Sequence, residues 1–364
     1  MSLLKSLFGA KESPITTNEE FWHWFTIHAD EFHKQVKKGN TDKGFFSKLA
    51  PKLNELRDGY WFLAGMADDE TAELILTADG IIKNIPFVED LIASAPDIKG
   101  WKLTALKPAL DIKDVSIRMD DLVFGEETLF FYSNDDPYHP DEIDITIVFP
   151  DYRESIKDTV TNGIYIFLDN FLGELNSVTQ IDNVQIVPQA EEGKELVPIS
   201  KLKDFVLWRE KEFVEKYEGT RHDTANDNYG TLEGRFPDGM LMLAVLNSTL
   251  LQWDAKASHP WILCIDLKYE GTKNGMPDDV TYTLLNEFED ALMKDLKDSE
   301  GYLNIGRETA KGMRTIYFAC REFRKPVKVV EELLTAYQAE LNVAYEIYKD
   351  KYWQSLKRFQ NHAK

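Results

Sequence analysis

Apolar residues in the last third of the chain recur with two periods, the alternation of a strand and the three-to-four spacing of a helix. Between Pro260 and Phe359 the order is strand, helix, strand, strand, helix, strand. The runs are WILCIDLKYEG, VTYTLLNEFEDALMKDLKD, GYLNIGRETA, KGMRTIYFACRE, PVKVVEELLTAYQAE and LNVAYEIYKD. This order predicts a ferredoxin-like (βαββαβ) domain.

The first half of the chain shows a similar mixture of helices and hairpins. Thr17 or Asn18 can cap a first helix that ends at Gly39, and its apolar residues fall on one face. Two extended runs around an acidic turn at residues 68–70 predict a hairpin, and SIKDTVTNGIYIFLDNFLGELN predicts one long helix. We therefore expect an α+β fold, with antiparallel sheets backed by helices.

The clearest break in the pattern is AEEGKELVP, a charged stretch that contains glycine and has no periodicity. We therefore expect an N-terminal α+β domain at residues 1–189, a linker and bridging helix at residues 190–228, and a C-terminal ferredoxin-like domain at residues 229–364. The similar rhythm of the two halves leaves a distant repeat open.

The net charge of the 364-residue chain is −21. Nucleic-acid binding needs Lys and Arg to displace counterions from phosphates, so this charge argues against it. It favours high solubility or a basic partner protein attracted by long-range electrostatics. The segment Ile305–Lys364 differs, because its twelve Lys and Arg exceed its seven Asp and Glu. That basic end either docks on the acidic remainder or forms a binding face.

Several features bear on the compartment. Cys264 and Cys320 lie in apolar strand patterns, and two cysteines in a chain of this length do not make a disulfide framework. The start, MSLLKSLFGAKESP, is interrupted by Lys5 and lacks the apolar core of a signal peptide. No run approaches eighteen apolar residues, so no membrane span is expected. These features predict a cytoplasmic protein.

Two clusters of potential metal ligands stand out in the sequence. His23, His28 and His33 are spaced five apart on one helix, and each step turns them by about 140°, so they do not converge on one ion. The segment NDDPYHPDEID is rich in carboxylates, but its prolines break the spacing of a calcium loop. We therefore predict no metal and no cofactor.

Catalytic motifs are also missing from the sequence. RHDTANDN supplies His222, Asp223 and Asp227 without an activated Ser or Cys, and neither a GxSxG elbow nor a glycine-rich phosphate loop occurs. The alternative that stays open is an enzyme with an unrecognised acid-residue site in the cleft between the domains. Its candidates are Asp79, Asp169 and Glu174.

The predicted hairpin KGMRTIYFA is the best candidate for a binding site. A ferredoxin-like domain that binds RNA carries stacking aromatics on this strand, and Met313 and Thr315 stand where two of them belong. An RNA-binding role is therefore not expected.

The same hairpin still concentrates arginine and tyrosine, the composition of binding hot spots. We predict that Arg307, Arg314, Tyr317 and Arg321 form a binding face. The alternative is a sheet face packed on an acidic neighbouring domain.

Three strings give the region from Tyr229 to Phe359 a family resemblance. They are the Gly-x-Pro turn Gly275–Pro277, the hairpin Gly306–Arg314 (GRETAKGMR), and the aspartate–tryptophan ending Asp350–Trp353. The region resembles the bacterial domain-of-unknown-function family numbered 695, which implies no catalytic residues. Its layout is also similar to the regulator that inhibits ribonuclease E, which implies a role in binding an enzyme.

The sequence as a whole predicts a protein-interaction or regulatory, inhibitor-like module with a basic protein partner. An immunity protein for a basic toxin is a special case of that prediction.

Overall fold

The computed structural model describes residues 14–360, and their contacts divide the chain into two compact units between Pro108 and Ala109. Residues 1–13, which include most of the segment considered above as a signal peptide, lie outside the described residues. The predicted domain boundary at residue 189 is a separate division based on sequence, and it stays a prediction.

The first unit is a three-stranded sheet with helices before and between its strands. The strands lie in the order β1-β2-β3, with β1 and β2 antiparallel and β2 and β3 parallel. A capping box begins α1, because Thr17 accepts from the backbone of Glu20 while the Glu20 side chain accepts from the backbone of Thr17. The elements are α1 (Asn18–Lys37), a π-helix (Asp42–Phe46), α2 (Ser47–Leu56), β1 (Trp61–Met66), β2 (Ala72–Thr77), α3 (Ile85–Ala93) and β3 (Trp101–Ala105).

Aromatic rings fill the core of this unit. The ring of Phe25 lies edge-on to that of Trp101, with 5.1 Å between the ring centroids, and the ring centroids of Phe32 and Phe45 are 4.8 Å apart. The buried indole of Trp22 donates to the carbonyl oxygen of Leu91 at 2.7 Å, which satisfies its polar atom inside the core.

The second unit begins with the two-stranded antiparallel sheet β4-β5, followed by a four-stranded sheet in the order β8-β7-β6-β9, which has an apolar core against α4. The single long helix predicted for this region is wrong at its end, because α4 stops at Leu172 and Gly173 turns the chain with a φ of +81°. The elements are β4 (Ile117–Met119), β5 (Leu122–Phe124), β6 (Phe130–Ser133), β7 (Asp144–Val148), α4 (Lys157–Leu172), α5 (Glu174–Thr179), β8 (Asn183–Val187), β9 (Val197–Pro198) and α6 (Leu202–Tyr217).

A six-stranded sheet completes the second unit. All its neighbouring strands are antiparallel, in the order β10-β11-β13-β14-β12-β15. The predicted strand–helix–strand–strand–helix–strand order is present, and the hairpin β10–β11 extends the sheet beyond it. The ferredoxin-like assignment stays a prediction. The elements are β10 (Tyr229–Arg235), β11 (Leu241–Asn247), α7 (Ser248–Leu251), β12 (Trp261–Lys268), α8 (Asp279–Asp295), β13 (Tyr302–Ala310), β14 (Met313–Cys320), α9 (Arg324–Tyr337), β15 (Asn342–Lys349) and α10 (Lys357–Gln360).

The fold class is α+β, with antiparallel sheets and helices. Within residues 14–360, no helix is long and apolar enough to cross a membrane. Cys264 and Cys320 are both free thiols, and burial raises the pKa of Cys264 to about 12.

Candidate functional site

The predicted arginine–tyrosine hairpin places its residues on both faces of the six-stranded sheet. Arg307 pairs with Ile316, and Thr309 pairs with Arg314, so these side chains share the face that meets α8. Tyr317 is on the opposite face, in the core with Trp353. The structure therefore brings Arg307 and Arg314 together but separates Tyr317 from them.

On the α8 face, the arginines surround one buried carboxylate. Glu289 of α8 is 4% exposed and accepts from Arg307 at 2.8 Å, with the guanidinium of Arg314 at 3.9 Å. Arg314 donates to Asn286 at 2.8 Å, and its guanidinium lies 5.3 Å from the ring centroid of Tyr282. Burial lowers the pKa of Arg314, and the charge of Arg307 lowers it further. This cluster holds α8 on the sheet, since one acid is enclosed by two cations.

The other two predicted residues have different environments. The hydroxyl of Tyr317 accepts from Arg358 at 2.8 Å, and burial raises its pKa. Arg321 follows β14 and is exposed. A binding role for Arg307, Arg314, Tyr317 and Arg321 stays a prediction, and only Arg321 has an exposed side chain that lines a cleft.

The three strings behind the family resemblance have structural roles. Gly312 in the β13–β14 turn donates to the carbonyl oxygen of Gly275 at 2.9 Å, so the first two strings touch. In the third, Asp350 accepts from the backbone of Gln354 and of Ser355, both at 2.8 Å, and caps the final turn. Trp353 is fully buried and donates to the carbonyl oxygen of His259 at 3.0 Å.

Histidines of the other candidate clusters also make hydrogen bonds within the protein. The ring nitrogens of His28 and His33 lie 2.8 Å from the backbone oxygens of Trp24 and Glu70. His222 contacts Asp227 at 2.8 Å, and Asp227 accepts from the buried Asn247 at 2.7 Å. Among residues 14–360, no group of three His, Cys, Asp or Glu side chains is placed to hold a metal ion.

The three carboxylates that the sequence offers as candidates for an enzyme site lie in different parts of the structure. Asp79 follows β2 in the first unit and pairs with Lys107 at 3.1 Å. Asp169 is in α4, and Glu174 begins α5 and is fully buried. An acid-residue catalytic site stays a prediction.

A buried polar network inside the second unit was not predicted. Lys351 is completely buried and donates to Asp182 at 2.8 Å and to the carbonyl oxygen of Asp141 at 2.6 Å. The Asp141 carboxylate accepts from Lys216, Tyr217 and Tyr352 at 2.6–2.8 Å. These bonds join the part of the unit that carries the four-stranded sheet to the end of β15.

The pKa values in this network have identifiable causes. Burial would raise the pKa of Asp141, but the hydrogen bonds from Lys216, Tyr352 and Tyr217 outweigh it and lower the value. Burial lowers the pKa of Lys351, and the neighbouring charge of Lys349 adds to this effect.

The exposed face of α6 also escaped the sequence reasoning. Leu207 is 46% exposed, Trp208 is 54% exposed and Val214 is 56% exposed. Leu207 and Val214 are seven residues apart, so they share one side of the helix, and Trp208 lies about 100° around the helix from Leu207. We call these three residues the α6 apolar stripe. The signal in the sequence was the run FVLWREKEFV, whose apolar residues are too many for one buried face.

A cleft adjoins the α6 apolar stripe. It has a volume of about 500 Å³ and lies between α6, the start of β12 and the segment that follows β14. Val214 belongs to both the stripe and the cleft, and Arg321 stands on the other side with Phe323. The cleft therefore combines aromatic walls with charged side chains.

These features describe an α+β protein with three sheets in its second unit, an exposed apolar helix face and a cleft beside it. A protein family described as a family of unknown function (DUF695) matches residues 237–359. The match covers about a third of the chain, from the β10–β11 turn to α10, so this C-terminal region is similar to that family. Searches of curated proteins and of solved structures found no match.

Proposed function

We propose that this protein is a protein-interaction or regulatory module that binds a basic partner protein through the α6 apolar stripe. The main observation behind this proposal is that the side chains of Leu207, Trp208 and Val214, all on one helix, are each about half exposed. Large apolar side chains that stay exposed together mark interaction surfaces, and tryptophan is the residue most enriched in hot spots.

The charge around this helix supports a basic partner. Residues 109–304 contain 40 Asp and Glu against 17 Lys and Arg, a formal charge of −23, so most of the acidity is in the part of the chain that contains α6. Three of the four cations of α6 are already engaged, since Arg209 donates to the carbonyl oxygen of Pro140, Lys211 pairs with Glu215, and Lys216 pairs with Asp141. Such a surface attracts a positively charged protein by long-range steering.

Three further statements belong to the same proposal. The strand order β15-β12-β14-β13, with α8 and α9, supports a ferredoxin-like C-terminal domain. The resemblance of that layout to the ribonuclease E inhibitor supports an inhibitor-like role. The free thiols of Cys264 and Cys320 support a cytoplasmic location, where disulfides are rare.

The test is a pull-down with the full-length protein as bait in native lysate, followed by binding measurements with the purified partner. We expect the wild type to retain a basic protein at low salt and to release it as salt rises, because salt screens the attraction. Trp208→Ala should weaken binding by about 30-fold, the loss of one hot spot.

The matched control is Tyr165→Ala, which removes an aromatic residue that is 50% exposed on α4. This variant should bind like the wild type. Retention of no basic protein, or a partner that binds Trp208→Ala and the wild type equally well, would contradict the proposal.

A further inference from the structure

The cleft beside α6 is lined by both aromatic and charged side chains. Phe213, Trp261 and Phe323 provide aromatic surface, and Glu210 and Arg321 also line it. Its volume of about 500 Å³ falls within the range of small-molecule sites, about 300–1,000 Å³.

One carboxylate that lines this cleft has an oxygen without a donor. Oε2 of Glu210 is buried, and it makes no hydrogen bond to any residue in the range 14–360. A buried carboxylate oxygen without a donor costs more free energy than an ordinary missing hydrogen bond. A ligand with an ammonium group would supply the missing donor.

A guanidinium in the same cleft also lacks a partner. Arg321 is exposed, and within the described part of the chain its side chain makes no hydrogen bond and no ion pair. Its alkyl part is packed against Gly301, where an added Cβ would lie 2.2 Å from Cδ of the arginine. The guanidinium is thus positioned by packing and free to take a carboxylate in its two-pronged geometry.

Two of the neighbouring charged side chains already have partners. Glu322 accepts from the Tyr302 hydroxyl and from the backbone of Arg324, both at 2.6 Å. Lys349 donates to the carbonyl oxygen of Thr179 at 2.6 Å and pairs with Asp182 at 3.0 Å. Arg324 lies over the ring of Phe323, 4.7 Å from its centroid, and Glu218 is a second, exposed carboxylate in the lining. Glu210 therefore provides the buried acceptor of the cleft, and Arg321 provides its unpaired cation.

We infer that this cleft binds a zwitterion of the amino-acid class with an apolar side chain. The ligand's carboxylate meets Arg321, its ammonium meets Glu210, and its side chain packs on Phe213, Trp261 and Phe323. A ligand with only a positive charge leaves Arg321 unpaired, and one with only a negative charge leaves Glu210 unpaired. The inference does not depend on the proposed partner protein.

Isothermal titration calorimetry of the full-length protein tests this inference, with L-phenylalanine and L-leucine as probes. We expect saturable one-to-one binding of at least one of them. Phenethylamine and 3-phenylpropanoate, which each keep one charge, should bind about tenfold more weakly or worse, since each loses a charged hydrogen bond.

Variants connect the binding to the two residues. Arg321→Gln and Glu210→Gln should each weaken binding of the zwitterion about tenfold or more. The matched controls, Arg118→Gln and Glu127→Gln, remove the same charges outside the cleft and should bind like the wild type.

Three outcomes would overturn the inference. They are no saturable binding of either amino acid, equal binding of the single-charge analogues, or equal losses in the cleft variants and their controls. Trp208→Ala should leave amino-acid binding unchanged, so this test can fail or succeed separately from the partner pull-down.

Discussion

At the scale of single residues, His259 is unusual because its ring is fully buried and only one of its two ring nitrogens has a hydrogen-bond partner among the described residues. Nδ1 is 2.8 Å from the hydroxyl of Ser258, whereas Nε2 has no hydrogen-bond partner among the described residues. Burial lowers the pKa of His259 from 6.5 to about 3, and the charge of Arg321 adds to this effect. The folded protein therefore keeps this ring neutral.

This burial predicts a specific loss of stability in acid. Below pH 6.5 His259 binds a proton in the unfolded chain, whereas in the folded protein it stays neutral down to about pH 3. Because the unfolded chain binds more protons in this range, the free energy of unfolding falls as pH falls. Between pH 6.5 and pH 5 the loss from this one residue is about 2 kcal/mol. Urea unfolding across this range should show that His259→Gln loses about 2 kcal/mol less than the wild type. Parallel pH dependences would contradict the expectation.

At the scale of elements, β13 depends on a glycine at the point where its pairing shifts. A bulge lies between Asn304 and Gly306, and Gly306 has a φ of +129°. A Cβ added there would lie 2.2 Å from the carbonyl oxygen of Val245 on β11. Both the backbone conformation and the close approach of β11 therefore require glycine.

Replacing this glycine should destabilise the sheet. Gly306→Ala is expected to cost about 3 kcal/mol of unfolding free energy, because the strand has to move away from β11 or strain its backbone. Gly230→Ala on β10 is the matched control, since nothing lies within 4 Å of its added Cβ, and it should change stability by less than about 0.5 kcal/mol. Urea unfolding measures both variants. Equal stabilities of the two would show that the bulge does not need glycine.

At the scale of the whole molecule, the buried network around Lys351 makes the second unit depend on contacts distant in sequence. Asp182 pairs with Lys351 at 2.8 Å and with Lys349 at 3.0 Å, and their sequence separation is about 170 residues. Removing one member of a buried ion pair leaves the other charge without full compensation.

We therefore expect Lys351→Met to lower the free energy of unfolding by about 3 kcal/mol. Lys211→Met is the matched control, because Lys211 pairs with Glu215 on the exposed surface of α6, where an ion pair contributes less than about 0.5 kcal/mol. Chemical denaturation gives both values. If the two variants lose equally little, the network contributes no net stability.

Much of the local structure could be predicted from the sequence. The turn at Lys311-Gly312 was predicted from its residues, and both take a positive φ, as a two-residue hairpin requires. The helices on both sides of this hairpin also lie where their apolar period placed them. The end of α4 was missed, because Gly173 interrupts a pattern that otherwise continues.

The candidate site was less accessible to sequence reasoning. The sequence predicts a binding role for Arg321 because it lies near Tyr317 in an arginine- and tyrosine-rich hairpin. The face on which a side chain lies depends on strand register, however, and the register places Tyr317 in the core. No sequence pattern marks Glu210 as a binding residue, because its unpaired oxygen results from the packing of α6 near β12 and β14.

By itself the sequence determined the fold class, the order of the C-terminal elements and the acidic character of the chain. These properties follow from residues that are neighbours along the chain, whose periodicity and turn preferences act locally. Only the tertiary structure decided the strand order, the burial of Lys351 and His259, and the exposure of the α6 apolar stripe. Those properties depend on which segments, distant in sequence, pack together and exclude water from each other. The local pattern of residues does not specify which segments pack together.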